Sequence, residues 1–205
     1  MKIGIDFDNT IICYDNVFNI VGLEKGLIPN DLPWGKNNVR NYLRAGGNEE
    51  EWIKLQGYVY GKRLMNAHPF EGVKDFFSYC KKTSIDCCIV SHKTLHPYRG
   101  YHYNLHKSAY QWLKQERFNC DIFFELTKEE KIHRISTLGC THFIDDLPEF
   151  LSLPGFSENI VKILFDPLHQ YTTNDIDHSL KKVQSWEEIL NLLKKDLLQK
   201  DHAKQ

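Results

Sequence analysis

The chain has 205 residues, of which 41% are apolar, 13% aromatic and 26% charged. That is enough apolar material for a sizeable core beneath an ordinary charged surface, which excludes a disordered, collagen-like or membrane-spanning chain. Lys and Arg number 26 against 27 Asp and Glu, a net charge of -1, so no global field draws the chain to nucleic acid or to a membrane surface.

Cys13, Cys80, Cys87, Cys88, Cys120 and Cys140 contain no C-x-x-C pair, and their spacing does not resemble a secreted disulfide framework. The N-terminus, MKIGIDFDNT, carries an Asp at position 6, where a signal peptide would be apolar. The expected setting is reducing and cytoplasmic.

Strand and helix signals alternate along the chain. Lys2–Phe7 reads as a short strand. The segment Tyr14 to Asn66 carries helical stretches and turn clusters (IPND, LPWG, AGGN) without a clear strand, and reads as a helical insert with Trp34 and Trp52 as its small core. Gly72–Lys82 is a helix with Val73, Phe76, Phe77 and Cys80 on one face. Ile85–Val90 is a buried strand, Leu105–Arg117 a helix and Asp121–Phe124 a strand. Lys128–Leu138 is a helix opened by the capping box Thr127-x-x-Glu130. Thr141–Ile144 and Ile160–Phe165 are further strands. Ser185-x-x-Glu188 caps a last helix, striped by Trp186, Ile189, Leu190, Leu193 and Leu197, with a basic tail after Leu198 expected to fray. Five apolar strands alternating with helices predict an α/β fold: a Rossmann-like, mostly parallel five-stranded sheet flanked by helices. The expected division is 1–13 with 67–205 as the α/β core domain, and 14–66 as the insert.

The chemistry concentrates at strand ends. Asp6 and Asp8, in Asp6-Phe7-Asp8-Asn9-Thr10, follow directly from the first strand. Two carboxylates in one small site repel, so a proton or a cation must compensate. Mg²⁺ suits hard oxygen ligands. One Asp can then attack phosphorus while the other serves as acid and base. Ser91 ends the strand IDCCIV, Lys128 and Lys131 stand in the first turns of the helix before THFI, and Asp145-Asp146 ends that strand. Carboxylates, a cation and a hydroxyl donor at neighbouring strand ends are the surroundings a phosphoryl group needs.

Taken in this order, the four motifs resemble the haloacid dehalogenase-like (HAD) hydrolase superfamily, in the phosphatase branch with a small helical cap inserted after strand one. The likeness covers roughly 1–10 and 71–165. It implies that strand one is central, between the strands carrying Ser91 and Asp145. It implies that Asp6 is the nucleophile, that Asp8 protonates the leaving group and then activates water, and that Thr10 supports the loop. Thr10, Ser91 and His92 would line the substrate's phosphoryl group. Asp6, Asp145, Asp146 and the backbone carbonyl of Asp8 would hold Mg²⁺. Lys131 would neutralise Asp6 and phosphate. Lys128 and Lys131 lie three apart on one helical face, and periodicity does not choose between them. We place the motif lysine at Lys131, the nearer to the helix's first apolar residues. An Asp at position 8 points to phosphoryl chemistry, since the superfamily's dehalogenases lack it.

The implied enzyme is a Mg²⁺-dependent phosphatase acting on a small phosphorylated metabolite through an aspartyl-phosphate. No nucleic acid or membrane partner is expected, and the sequence is silent on oligomeric state. A phosphotransferase or phosphomutase of the same fold, or a non-catalytic HAD-like binding module, are the alternatives. The basic residues of the insert include Lys36, Arg40, Arg44, Lys54, Lys62 and Arg63; they read as a solvated face, and Arg40 or Arg44, four apart, as a contact for a second anionic group. Segment 92–106, with His92, His96, His102 and His106, reads as a polar–aromatic wall, a structural loop or a zinc site. Phe150 reads only as the start of a helix.

Overall fold

The computed structural model describes residues 1–172 and 176–202; residues 203–205, the end of the tail expected to fray, lie outside them. In chain order the elements are β1 (Lys2–Ile5), β2 (Ile12–Cys13), α1 (Asp15–Glu24), α2 (Lys36–Ala45), α3 (Glu49–Gly61), a 3-10 turn (Leu64–Asn66), β3 (His68–Pro69), α4 (Val73–Lys82), β4 (Asp86–His92), α5 (Leu105–Gln115), β5 (Asp121–Glu125), α6 (Lys128–Thr137), β6 (His142–Asp145), α7 (Pro148–Leu151), β7 (Val161–Phe165), β8 (Lys181–Val183) and α8 (Trp186–His202).

Contacts divide the described chain into two compact units. The first comprises Met1–Ile11, Phe70–His92 and the chain from Cys120 onward. It holds a six-stranded sheet in the order β5-β4-β1-β6-β7-β8, every neighbouring pair parallel. β1 is central, between β4 and β6, as the resemblance implies. Ile3, Ile5, Ile89, Val90, Phe143, Ile144, Ile163 and Leu164 are fully buried, which explains why these strands read as continuous apolar runs. Gly4 is required by this packing: a Cβ there would meet Phe143 Cδ2 at 2.7 Å and Cys140 Sγ at 3.0 Å.

The five expected strands are β1, β4, β5, β6 and β7. The sixth, β8, escapes sequence reading because three residues (KKV) are too short for a periodic signal, and two lysines mask an edge strand well. α8 starts where Ser185 and Glu188 predict: Glu188 N–H donates to Ser185 Oγ at 3.1 Å, and Gln184 N–H donates to Glu188 Oε2 at 2.8 Å. Its buried Trp186 packs on Phe76 and Phe165, at centroid distances of 4.9 and 5.9 Å. Each fully buried side chain of the stripe, Trp186, Ile189 and Leu193, contributes roughly 1.5–3 kcal/mol of apolar burial.

The second unit comprises Ile12–Pro69 and Lys93–Asn119. It is helical, with a two-stranded antiparallel pair, β2 and β3. Trp52 is buried and tilts against Phe18 at 5.1 Å, whereas Trp34 is 56% exposed and does not join that core. The helix α5 belongs here and not with the sheet. Trp112 Nε1 donates to Ala67 O at 2.9 Å, and Ser108 Oγ donates to Gly61 O at 2.8 Å. The missing side chains of Gly57 and Gly61 admit Pro97 and Tyr103, whose atoms lie 2.6 and 2.3 Å from where a Cβ would stand. Strand–helix alternation alone cannot tell a helix laid on the sheet from one folded against the insert. No helix among the described residues is long and apolar enough to cross a membrane.

Candidate active site

The register of the sheet brings the candidate residues level. Ile5 of β1 pairs with Ile89 of β4 and Ile144 of β6, so Asp6, Ser91 and Asp145 all lie at the carboxyl ends of adjacent strands. Asp6 stays in line because its N–H donates to Ile144 O at 2.8 Å. The chain then turns: Asn9 takes a φ of 61°, a left-handed value that Asn tolerates, and Ile11 N–H donates to Phe7 O at 3.2 Å. Phe7 and Thr10 are fully buried in this turn, and Trp186 Nε1 donates to Thr10 O at 3.1 Å. The segment that carries the carboxylates is therefore anchored from both sides within the sheet unit.

The start of α6 is set by the capping box that the sequence predicts. Thr127 Oγ1 accepts from Glu130 N–H at 3.1 Å, and Glu130 Oε2 accepts from Thr127 N–H at 3.0 Å. One turn in, Lys131 falls on the inward face with Ile132 and Ile135, and is buried. Lys128, three residues earlier, is half-exposed. Lys131 Nζ donates to Asp6 Oδ1 at 2.6 Å and to Asp145 Oδ2 at 2.7 Å. The other oxygen of Asp145 accepts from Leu147 N–H at 2.9 Å, a local turn that fixes the carboxylate. Asp6, Asp145 and Asp146 each offer an oxygen within 4.8 Å of the others.

Burial, with Asp145 and Asp8 close by, pushes the Asp6 carboxyl up to about 7 against the pull of Lys131. The two carboxylates hold Lys131 above the usual lysine range despite its burial. Lys131 bridges Asp6 and Asp145, and Asp146 brings a third carboxylate to the cluster, a concentration of oxygen donors that suits a divalent cation such as Mg²⁺. Oxygen-only ligands at this spacing fit that ion. Ser91 Oγ and Thr10 Oγ1 are buried without a hydrogen-bond partner among the described residues. Such a group costs about 1–3 kcal/mol until something accepts its proton.

Of the residues singled out in the sequence, Asp6, Lys131, Asp145 and Asp146 are brought into one cluster. Ser91 and Thr10 stand buried at the same end of the sheet. Asp8 is half-buried, close enough to Asp6 to raise its pKa, and its carboxylate is not one of the clustered three. His92 lies elsewhere: it is exposed, one residue past buried Ser91 in the alternation of β4, and its Nε2 pairs with Leu126 O at 2.9 Å. His96 and His106 likewise pair with the carbonyls of Tyr103 and Lys93. Among the described residues, the group of His, Cys, Asp or Glu close enough to share an ion is Asp6, Asp145 and Asp146.

Two residues escape sequence reading. Lys131 Nζ lies over the ring of Phe150 at 4.2 Å from its centroid, and over that of Phe143 at 5.3 Å. No periodic signal marks a contact between the second turn of α6 and a four-residue helix after β6.

No family model and no curated protein matches the sequence. Solved structures do share its fold. A predicted phosphatase from Clostridium acetobutylicum matches with a TM-score of 0.60 at 15% identity, over 95% of this chain and 98% of that one. A HAD-superfamily hydrolase from Ehrlichia chaffeensis matches with a TM-score of 0.55 at 14% identity, over 95% and 96%. A predicted phosphoglycolate phosphatase from Haemophilus somnus matches with a TM-score of 0.56 at 13% identity, over 93% and 96%. At these identities the likeness is one of fold.

Proposed function

The chain has the fold of the HAD-superfamily hydrolases, and we propose that it is a Mg²⁺-dependent phosphatase that hydrolyses a small-molecule phosphate monoester through an aspartyl-phosphate. The observation that carries the reading is the buried Asp6–Lys131–Asp145 bridge at the carboxyl end of the sheet, flanked by the unpartnered hydroxyl of Ser91. The shared fold with structures described as a predicted phosphatase and a predicted phosphoglycolate phosphatase supports it. A near-neutral net charge favours a small metabolite over nucleic acid.

In the proposed reaction an oxygen of Asp6 attacks phosphorus and the bond to the ester oxygen breaks. Asp8 donates a proton to the departing alcohol. A water then attacks the aspartyl-phosphate, with Asp8 accepting its proton, and Asp6 is released as carboxylate with inorganic phosphate. Lys131 stays charged throughout and offsets negative charge on Asp6 and the phosphoryl oxygens. Ser91 donates its hydroxyl to one of those oxygens, an interaction of the kind that stabilises charge developing in the transition state. Asp6, Asp145, Asp146 and the carbonyl of Asp8 would hold Mg²⁺, which supplies positive charge to the phosphoryl group and keeps Asp6 ionised near neutrality.

The test is phosphate release from a panel of sugar phosphates, nucleoside monophosphates and small organic phosphates, with Mg²⁺ or EDTA, and with Asp6→Asn as the blank. Release by the wild type in Mg²⁺ alone supports the reading. Full turnover by Asp6→Asn overturns the covalent route, and full turnover in EDTA overturns the metal's role. Silence of the wild type across the panel moves the weight to phosphoryl transfer between metabolites or to a binding role.

A further inference from the structure

We propose that Phe150 is a positioning residue for Lys131: its ring is the seat that holds the ammonium against Asp6 and Asp145. The inference rests on the phosphatase reading for its kinetic consequence and on geometry alone for its structural one.

An ammonium has three N–H donors. Two directions are taken by Asp6 Oδ1 at 2.6 Å and Asp145 Oδ2 at 2.7 Å. The Nζ also lies over Phe150, 4.2 Å from the centroid, with Phe143 at 5.3 Å. The face of an aromatic ring is its electron-rich side, and it attracts a cation most strongly where water is excluded. Phe150 and Lys131 are both nearly inaccessible to solvent. The ring faces therefore provide what solvent would otherwise supply on that side, without offering the lysine a competing hydrogen-bond acceptor. A lysine stem has four rotatable carbons, and an aliphatic wall would confine it less directionally than a ring face does.

The seat is itself braced. Phe150, Phe143 and Phe156 form a triangle with centroid distances of 6.0 Å between Phe143 and Phe150, 5.4 Å between Phe150 and Phe156, and 6.4 Å between Phe143 and Phe156. α7, which carries Phe150, begins two residues after Asp146, and Pro148 at its first position pre-sets its entry. The short run Asp145-Asp146-Leu147-Pro148-Glu149-Phe150 thus supplies two of the three clustered carboxylates and the ring under the cation that pairs with one of them. Phe156 packs on the same two rings and is half-buried, so it serves as a control for packing.

The experiment compares Phe150→Leu, Phe150→Tyr and Phe156→Leu by two readouts. The first is the NMR shift of the Lys131 ε-methylene protons, which a ring face displaces by its ring current. Phe150→Leu is expected to move that resonance toward the ordinary lysine position. Phe150→Tyr and Phe156→Leu are expected to leave it displaced. The second is steady-state kinetics on the best substrate of the panel. Phe150→Leu is expected to lower kcat about tenfold with KM changed less than about twofold, a loss of the size of one cation–π contact. Phe150→Tyr should restore kcat, and Phe156→Leu should leave it near wild type while lowering the melting temperature. An unmoved Lys131 resonance in Phe150→Leu overturns the proposal, as does an equal loss of kcat in Phe156→Leu. If the wild type hydrolyses nothing, the phosphatase reading falls, and the resonance alone decides whether Phe150 seats the lysine.

Discussion

Replacing Lys131 by Met tests the electrostatic account of the site most directly. Its Nζ bridges Asp6 and Asp145 at 2.6 and 2.7 Å, and all three side chains are less than a tenth exposed. The variant keeps most of the side-chain volume and removes the cation that bridges these carboxylates. Removing one partner of a buried ion pair costs about 3–5 kcal/mol, because the remaining charges stay buried without it. For a domain of this size each kcal/mol moves the melting temperature by about 2–4 °C, so the expected fall in EDTA is roughly 6–20 °C. The assay is thermal unfolding in EDTA and in graded Mg²⁺, at several pH values. Two signs follow. Mg²⁺ should recover part of the loss, by supplying another cation. Acidification should also shrink it, because protonated carboxyls no longer need a cation. Lys128→Met is the internal control: a half-exposed lysine at the helix start should change stability by no more than about 0.5 kcal/mol. An unchanged melting temperature for Lys131→Met, or a loss indifferent to both Mg²⁺ and pH, would refute the reasoning.

Ser91→Ala should lower kcat/KM by about 100-fold, the loss typical of one donor to a developing oxyanion. Its melting temperature without ligand should hold or rise, since the change removes an unpartnered buried hydroxyl; a destabilised variant with full turnover would contradict the assignment. In EDTA the stability of the wild type should carry a falling component between about pH 4 and pH 7. Asp6 is raised from an ordinary value of 3.8 to about 7, so in that window the folded chain keeps a proton that the unfolded chain has released. Urea unfolding across this range checks it: Asp6→Asn should lose that component, and identical slopes for the two proteins would count against the raised carboxyl.

Much of this molecule is determined by short-range patterning in the sequence. Apolar runs such as KIGI and HFID specify strands buried on both faces, and Thr127 with Glu130 starts α6 by hydrogen bonds that span only three residues. Asp6, Ser91 and Asp145 are legible because each directly follows or ends such a run, which places it at a strand's carboxyl end. The tertiary structure decided what local periodicity leaves open. Lys128 and Lys131 share a face by spacing, and only the packing of α6 shows that Lys131 alone enters the interior to meet carboxylates 125 and 14 residues away. The strand period separates Ser91 from His92, and the carbonyl of Leu126 claims the imidazole. α5 reads as a crossover helix until Gly57 and Gly61 bring Pro97 and Tyr103 against α3. Phe150 is an ordinary apolar residue in sequence and becomes a cation's seat only once the fold sets α7 against Lys131 of α6. Local hydrogen bonds and alternation act within a few residues, and so can be read along the chain. Which buried face meets which charge depends on contacts between segments far apart in sequence, which only the folded chain brings together.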